Sequence, residues 1–119
     1  MNIASDTIQQ RIAHYAAALT FDALDAATVH AAKARVIDTL GALIGGWFDV
    51  PCRVARSLAA DMQDVDGATV IGTRMKSVPD MAAFANTTAS RCVEMNDFYY
   101  RPGSAGGHPS DMLGPVLAA

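Results

Sequence analysis

Asp25-Ala-Ala-Thr-Val29-His-Ala-Ala32-Lys-Ala-Arg35-Val36-Ile37-Asp38-Thr-Leu40-Gly41-Ala-Leu43-Ile44-Gly45-Gly46 reads as one long helix. Val29, Ala32, Val36, Leu40, Leu43 and Trp47 recur at three- and four-residue intervals, and Ile37 and Ile44 widen the stripe, as an α-helix with a broad apolar face requires. Asp25, ahead of the first periodic residue, opens the helix. A stripe this wide predicts burial on more than one side. Gly41 and Gly45 lie four apart on one face, a helix-weakening choice that lets another backbone come close, so a packed helical neighbour is expected there.

The same periodicity extends in both directions. Upstream, Ile8, Ile12, Tyr15 and Leu19 define an amphipathic helix to about Ala18, capped by Ser5 or Asp6 and ended by Thr20-Phe21-Asp22. Downstream, Gly45-Gly46 and Asp49-Val50-Pro51 stop the long helix, and Pro51, tolerated in a first turn, opens a third helix through about Met62. Gln63 to Gly67 reads as a turn. Ala68 to Thr73 is too short and too β-branched for a helix and is expected to be a strand or extended connector. Ser77, as a cap, and Pro79 introduce a fourth helix on Met81, Phe84, Ala85, Thr88, Cys92 and Met95. Pro109, Ser110 and Asp111 suit the start of a final helix. Leu113, Val116 and Leu117 then run to the terminus without a cap, glycine stop or polar tail, so residues 1–119 are expected to be an N-terminal fragment of a larger protein. The fold class expected is mainly α, a helical bundle-like array with at most one short strand.

Composition excludes several functions. A net charge of −3, from 9 basic and 12 acidic residues, leaves no electrostatic footprint for nucleic acid or an anionic membrane. The most apolar run, Thr39 to Phe48, is well short of the roughly 20 residues of a spanning helix. Cys52 and Cys92 lack CxxC or zinc-finger spacing, and the N-terminus lacks a signal-peptide pattern, so reduced thiols and a cytoplasmic location are expected.

Chemistry concentrates between Arg91 and Asp111, where Glu94, Asn96, Asp97, Arg101 and His108 crowd a loop containing Gly103, Gly106 and Gly107. His108 stands just ahead of an expected helix start, where free backbone N–H groups favour an anion and the imidazole is available to move a proton. An ordinary hydrogen-bonded loop histidine is the other reading. Arg91, Glu94 and Asp97 follow at three-residue intervals, which on one helix face would join a substrate-gripping guanidinium to carboxylates that orient His108, or form a plain solvated ion pair. Metal-ligand spacing such as HExxH is absent. Ser104 and Ser110 lack a nucleophile elbow, and the glycines form no GxGxxG or P-loop.

Phe21-Asp-Ala-Leu, Val36-Ile-Asp-Thr-Leu-Gly41, Ala68-Thr-Val-Ile-Gly-Thr73, Ala83-Phe-Ala-Asn86, Asn96-Asp97 and Gly107-His-Pro-Ser-Asp111 together resemble the N-terminal part of the MmgE/PrpD family. That family includes 2-methylcitrate dehydratase, cis-aconitate decarboxylase and iminodisuccinate epimerase. The resemblance implies a larger helical domain, a separate α+β lid absent from this chain, a homodimer, and catalysis on a small polycarboxylate without metal or organic cofactor. It aligns the family's His-Pro-Ser motif with His108, Pro109 and Ser110, and its acidic motif with Glu94, Met95, Asn96 and Asp97. The implied catalytic set is His108, Asp97 and Glu94, with Arg91, Asn96, Arg101 and Ser110 binding substrate. Glu94 and Met95 replace the usual Asp and Phe, and Phe98 stands where Thr is frequent, which leaves the substrate open among dehydratase, decarboxylase and epimerase chemistries.

Overall fold

The computed structural model describes residues 7–103 and 105–119, so the expected caps Ser5 and Asp6 and the candidate Ser104 lie outside the described residues. The chain is mainly α, as its periodicity predicts: five α-helices and one two-stranded sheet among the described residues. It divides into two compact units, Met1–Ala31 and Ala32–Ala119. In the first, helix α1 spans Thr7–Ala18 and a 3₁₀ turn spans Phe21–Ala23. Helix α2 follows at Ala26–Gly45, its N-terminus capped by a 2.6 Å hydrogen bond from the Thr28 N–H to Asp25 Oδ1. That bond holds the Asp25 carboxyl below its ordinary pKa.

In the second unit, α2 continues to Gly45 and is followed by α3 (Val50–Ala60), β1 (Gln63–Thr69), β2 (Lys76–Ser77), α4 (Pro79–Arg91) and α5 (Leu113–Ala118). Helix α4 packs against α3 on one side and α5 on the other. Its buried positions are Ala82, Ala85, Asn86, Ala89 and Ser90, a face of small residues. They meet Cys52, Ala55 and Ala59 of α3 and Ala118 of α5. Of the expected stripe, Ala85 is buried and Met81 and Cys92 pack partly buried against the core, whereas Phe84 is exposed and Met95 lies exposed beyond the helix end. Small side chains win the buried positions because they let three helix backbones close up; large apolar residues would hold them apart. Gly114 marks the closest approach: a Cβ there would collide with Thr87 Oγ1 and come within 3.1 Å of the Ala83 carbonyl oxygen.

Helix α2 buries one side rather than several. Thr39, Ala42 and Leu43 face inward, whereas Ile37 and Ile44 are 70% and 71% exposed. The glycine pair also behaves differently from the expectation. Gly41 meets open space and Gly45 makes ordinary contact with Val93. The intimate approach belongs to Gly46, where a Cβ would sit 3.0 Å from the Cys92 Cβ and 3.1 Å from the Ala89 carbonyl oxygen.

The strand begins earlier than its β-branched run suggests. Gln63 and Ala68 both pair with Ser77 across an irregularity, and Thr69 pairs with Lys76. The turn expected over Gln63–Gly67 is therefore an irregular part of β1, in which Asp64 Oδ1 accepts the Asp66 N–H at 3.0 Å, and of the strand expected over Ala68–Thr73 only Ala68 and Thr69 are in β1, the chain turning at Ile71 and Gly72. Ser77 does not cap α4, whose N-cap position is Val78. Its hydroxyl, fully buried, lies 2.8 Å from both the Ala59 and Met62 carbonyl oxygens and so ties β2 to the end of α3.

Candidate active site around Asp97 and His108

Helix α4 ends at Arg91, before the acidic residues, so Arg91, Glu94 and Asp97 do not share a helix face. The termination is local: the Glu94 N–H returns to the Arg91 carbonyl at 3.2 Å, and Glu94 takes φ 52°, the left-handed conformation that turns a chain away from a helix end. Glu94 consequently projects outward, 75% exposed, and lies 3.7 Å from Arg91 Nη2. Asp97 turns inward, its side chain 4% exposed. No hydrogen bond joins Glu94 to His108 among the described residues.

The loop from Phe98 to Gly107 closes on itself through an antiparallel bridge. Tyr99 N–H donates to Gly107 O at 2.8 Å and Gly107 N–H donates to Tyr99 O at 3.0 Å. This closure returns the chain beside Asp97. His108 Nδ1 lies 2.7 Å from the Asp97 carbonyl oxygen, and because a carbonyl can only accept, Nδ1 carries the proton of that bond. In a neutral ring Nε2 then holds the lone pair, the atom a general base needs. Phe98 packs edge-on to the imidazole with centroids 5.3 Å apart and stacks on Tyr100. The residue that departs from the usual Thr therefore replaces a hydroxyl with an aromatic wall on His108.

Two hydrogen-bonded ties fix the start of the next element, a 3₁₀ turn over Pro109–Met112 that leads into α5. Asp97 Oδ1 accepts the Ser110 N–H at 3.1 Å. Asn96 Nδ2 donates to the Ser90 carbonyl at 2.8 Å and to Ser110 Oγ at 3.3 Å. Arg91 Nε reaches Asp111 Oδ1 at 3.3 Å, closer than its contact with Glu94, so its guanidinium is held largely within the protein. Arg101 is exposed within the loop. The expected residues thus divide: Asn96, Asp97, His108 and Ser110 converge, while Arg91 and Glu94 form a flanking pair.

A family model, the MmgE/PrpD N-terminal domain, matches residues 10–119. The chain belongs to the MmgE/PrpD family. No curated protein and no solved structure matches it. Dehydratases and other lyases occur in the MmgE/PrpD family. The match spans α2 to α5 and every converging residue, so the Asp97 to Ser110 arrangement lies wholly within the family's domain.

One residue of the site was not among the sequence candidates. Arg35 of α2 places Nε 3.9 Å from Asp97 Oδ2, and both border a cleft of about 200 Å³ with Ser110. Its sequence signal is faint: a cation at the edge of an apolar stripe, 62 residues from its carboxylate. His108 is not in the wall of that cleft, although Pro109 and Ser110 are. No helix among the described residues is long and apolar enough to cross a membrane.

Proposed function

We propose that this chain forms the helical part of a lyase that acts on a small polycarboxylate, of the 2-methylcitrate dehydratase type, without metal or organic cofactor. The observation that carries this reading is the fixed tautomer of His108: with Nδ1 committed to the Asp97 carbonyl, Nε2 is the ring's remaining basic atom. His108 takes the proton from the carbon α to a substrate carboxylate, the electron pair of that C–H bond forms the double bond, and the hydroxyl on the adjacent carbon leaves with a proton as water. Asp97 positions the chain on both sides of the histidine, through its carbonyl to the ring and through its carboxylate to Ser110. Ser110 and Asn96 orient the substrate end of the site. Arg91 and Glu94 stabilise the loop's entry, and Arg101 contributes a cation from the loop itself.

The same proton removal, followed by return to the opposite face, would give epimerisation, whereas decarboxylation needs the reverse transfer: a carboxylate leaves as carbon dioxide and the carbanion left behind takes a proton from the protonated His108. The full-length protein is therefore incubated with 2-methylcitrate, citrate, cis-aconitate and iminodisuccinate, with alkene absorbance, carbon dioxide release and stereochemistry followed in parallel. Alkene formation from 2-methylcitrate, abolished in His108→Ala, is expected. Undiminished activity in a folded His108→Ala protein would remove the histidine from the mechanism.

A second reading, a helical dimerisation module, is favoured by exposed Ile37 and Ile44 flanking the open face of Gly41. Light scattering on Ile44→Asp tests the face, since a dimer built on it would dissociate, and turnover of any of the four substrates would set the non-catalytic reading aside.

A further inference from the structure

We propose that Phe98 is a positioning residue for His108, and that Gly106 is the residue that lets it act. The inference rests on the reading of His108 as the base. It starts from the bridge between Tyr99 and Gly107, which exchange both of their N–H···O bonds. In an antiparallel pair such a couple is flanked by couples without hydrogen bonds, whose side chains share one face and approach most closely. Here these are Phe98 opposite His108 and Tyr100 opposite Gly106. Phe98, Tyr100 and His108 therefore lie on one face of the ribbon, in keeping with their ring contacts.

Gly106 leaves the fourth place on that face empty, and the Phe98 ring fills it. A Cβ at Gly106 would collide with Phe98 Cζ and stand 2.9 Å from its Cε2. Backbone conformation does not call for glycine there, since positive φ among the described glycines is confined to Gly72 and Gly103. The ring is thus lodged across the ribbon, with Tyr100 stacked on one side at 6.5 Å between centroids and the imidazole set at 64° to it. Lodging of this kind matters because Phe98 is 59% exposed, so burial alone does not hold it.

Phe98 supplies a restraint that the hydrogen bond of His108 lacks. The contact from Nδ1 to the Asp97 carbonyl fixes which nitrogen is protonated, but a single hydrogen bond leaves a ring able to rock about the Nδ1···O line. Rocking redirects the Nε2 lone pair and weakens the bond. A bulky ring lodged against the imidazole blocks that motion on one side. Aim and tautomer are then held together, as a base that must meet a proton at a fixed carbon requires.

The test separates the position of the ring from turnover. Full-length protein carrying isotope-labelled histidine is studied by long-range proton–nitrogen NMR at about pH 8.5, where neutral imidazole is the ordinary form, and the His108 signal is assigned by its absence in His108→Asn. Wild type is expected to show the Nδ1–H tautomer. Phe98→Ala and Gly106→Ala are each expected to admit the Nε2–H tautomer as well, and to lower kcat about 10-fold with KM little changed, the split that a misaimed base produces. Phe98→Leu should fall between. Gly107→Ala, whose methyl meets open space, is expected to keep the wild-type tautomer. A His108 tautomer indifferent to both Phe98→Ala and Gly106→Ala overturns the assignment. Should Phe98→Ala fail to fold, Phe98→Leu and Gly106→Ala decide it. Failure of every substrate to turn over, with the tautomer still dependent on Phe98, would overturn the lyase reading and leave the ring restraint standing; turnover lost in His108→Ala with a tautomer indifferent to Phe98 would do the reverse.

Discussion

His108 Nδ1 sits 2.7 Å from the backbone carbonyl oxygen of Asp97, a contact that ties the ring to main chain rather than to a carboxylate. The contact itself therefore needs no Asp97 side-chain atom, and the basic Nε2 depends on the ring alone. His108→Asn tests this separation, because the amide nitrogen can replace Nδ1 as donor while nothing replaces Nε2. Turnover is expected to fall by about 10²–10⁴-fold with the melting temperature nearly unchanged. A variant that retains turnover would show that the ring's second nitrogen has no part in the reaction.

Asp97 has the complementary role in its side chain. Asp97→Ala leaves the buried Ser110 N–H without its acceptor, a loss of about 1–3 kcal/mol, and frees the start of the 3₁₀ turn that holds His108. Asp97→Asn keeps an oxygen for that N–H and removes only the charge facing Arg35. Denaturant titration should therefore place Asn between wild type and Ala in stability. Equal stability of all three proteins would mean that the Ser110 bond contributes nothing to the fold.

Much of this could be read in the sequence, and the failures have definite physical causes. Periodicity located α1, α2, α3 and α4 because each carries apolar or small residues at helical spacing. On α4 it placed Ala85 and Met81 correctly but missed Ala82 and Ala89, since packing selected these small residues over the larger Phe84 and Met95. Spacing placed Arg91, Glu94 and Asp97 together only on the assumption of continuous helix, and the left-handed turn at Glu94 separates them. Arg35 was illegible as a site residue because its relation to Asp97 exists only in three dimensions.

Asn86 was visible only as one letter of the family pattern, and its geometry explains its chemistry. It is 2% exposed, its Oδ1 accepts the Ile71 N–H at 2.9 Å, and its Nδ2 donates to the Thr69 carbonyl at 3.1 Å. One amide thus satisfies a donor and an acceptor at the end of β1. Asn86→Ala is expected to cost about 1–3 kcal/mol in urea unfolding. Asn86→Asp should cost more, because it sets a buried carboxylate against the Thr69 carbonyl oxygen. An Asp variant as stable as the wild type would contradict the paired hydrogen bonds.

Close packing of α4 on α5 makes Gly114 sensitive to a single methyl group. A side chain there meets Thr87 Oγ1 and also the backbone of Thr87 and Ala83, and those backbone atoms cannot move without shifting α4. Gly114→Ala is expected to destabilise the protein by about 1–3 kcal/mol despite alanine's better helix propensity. Thermal melting of Gly41→Ala provides the contrast, since that site opens to space and the propensity gain should stabilise it. If the two variants moved the melting temperature in the same direction, the helix contact would be wrongly drawn.

Cys92 offers a chemical test of the packing between α3 and α4. Its hydrogen bond with the Cys52 thiol, then burial, then a hydrogen bond to Asp49 push its pKa from 9.0 up to about 11. Cys92 Sγ lies 3.4 Å from Asp49 Oδ2, where an acceptor carboxylate favours the protonated thiol. Because the folded state holds the proton more tightly, this contribution to stability is complete below the unfolded thiol's pKa and is lost as pH rises through about 11. Alkylation requires thiolate, so at pH 8 iodoacetamide should modify Cys92 roughly two orders of magnitude more slowly in the native protein than in urea. Cys52→Ala removes the largest cause of the shift and should accelerate the native reaction. Equal native and denatured rates at pH 8, followed by mass spectrometry, would show that the thiol is not held between Cys52 and Asp49.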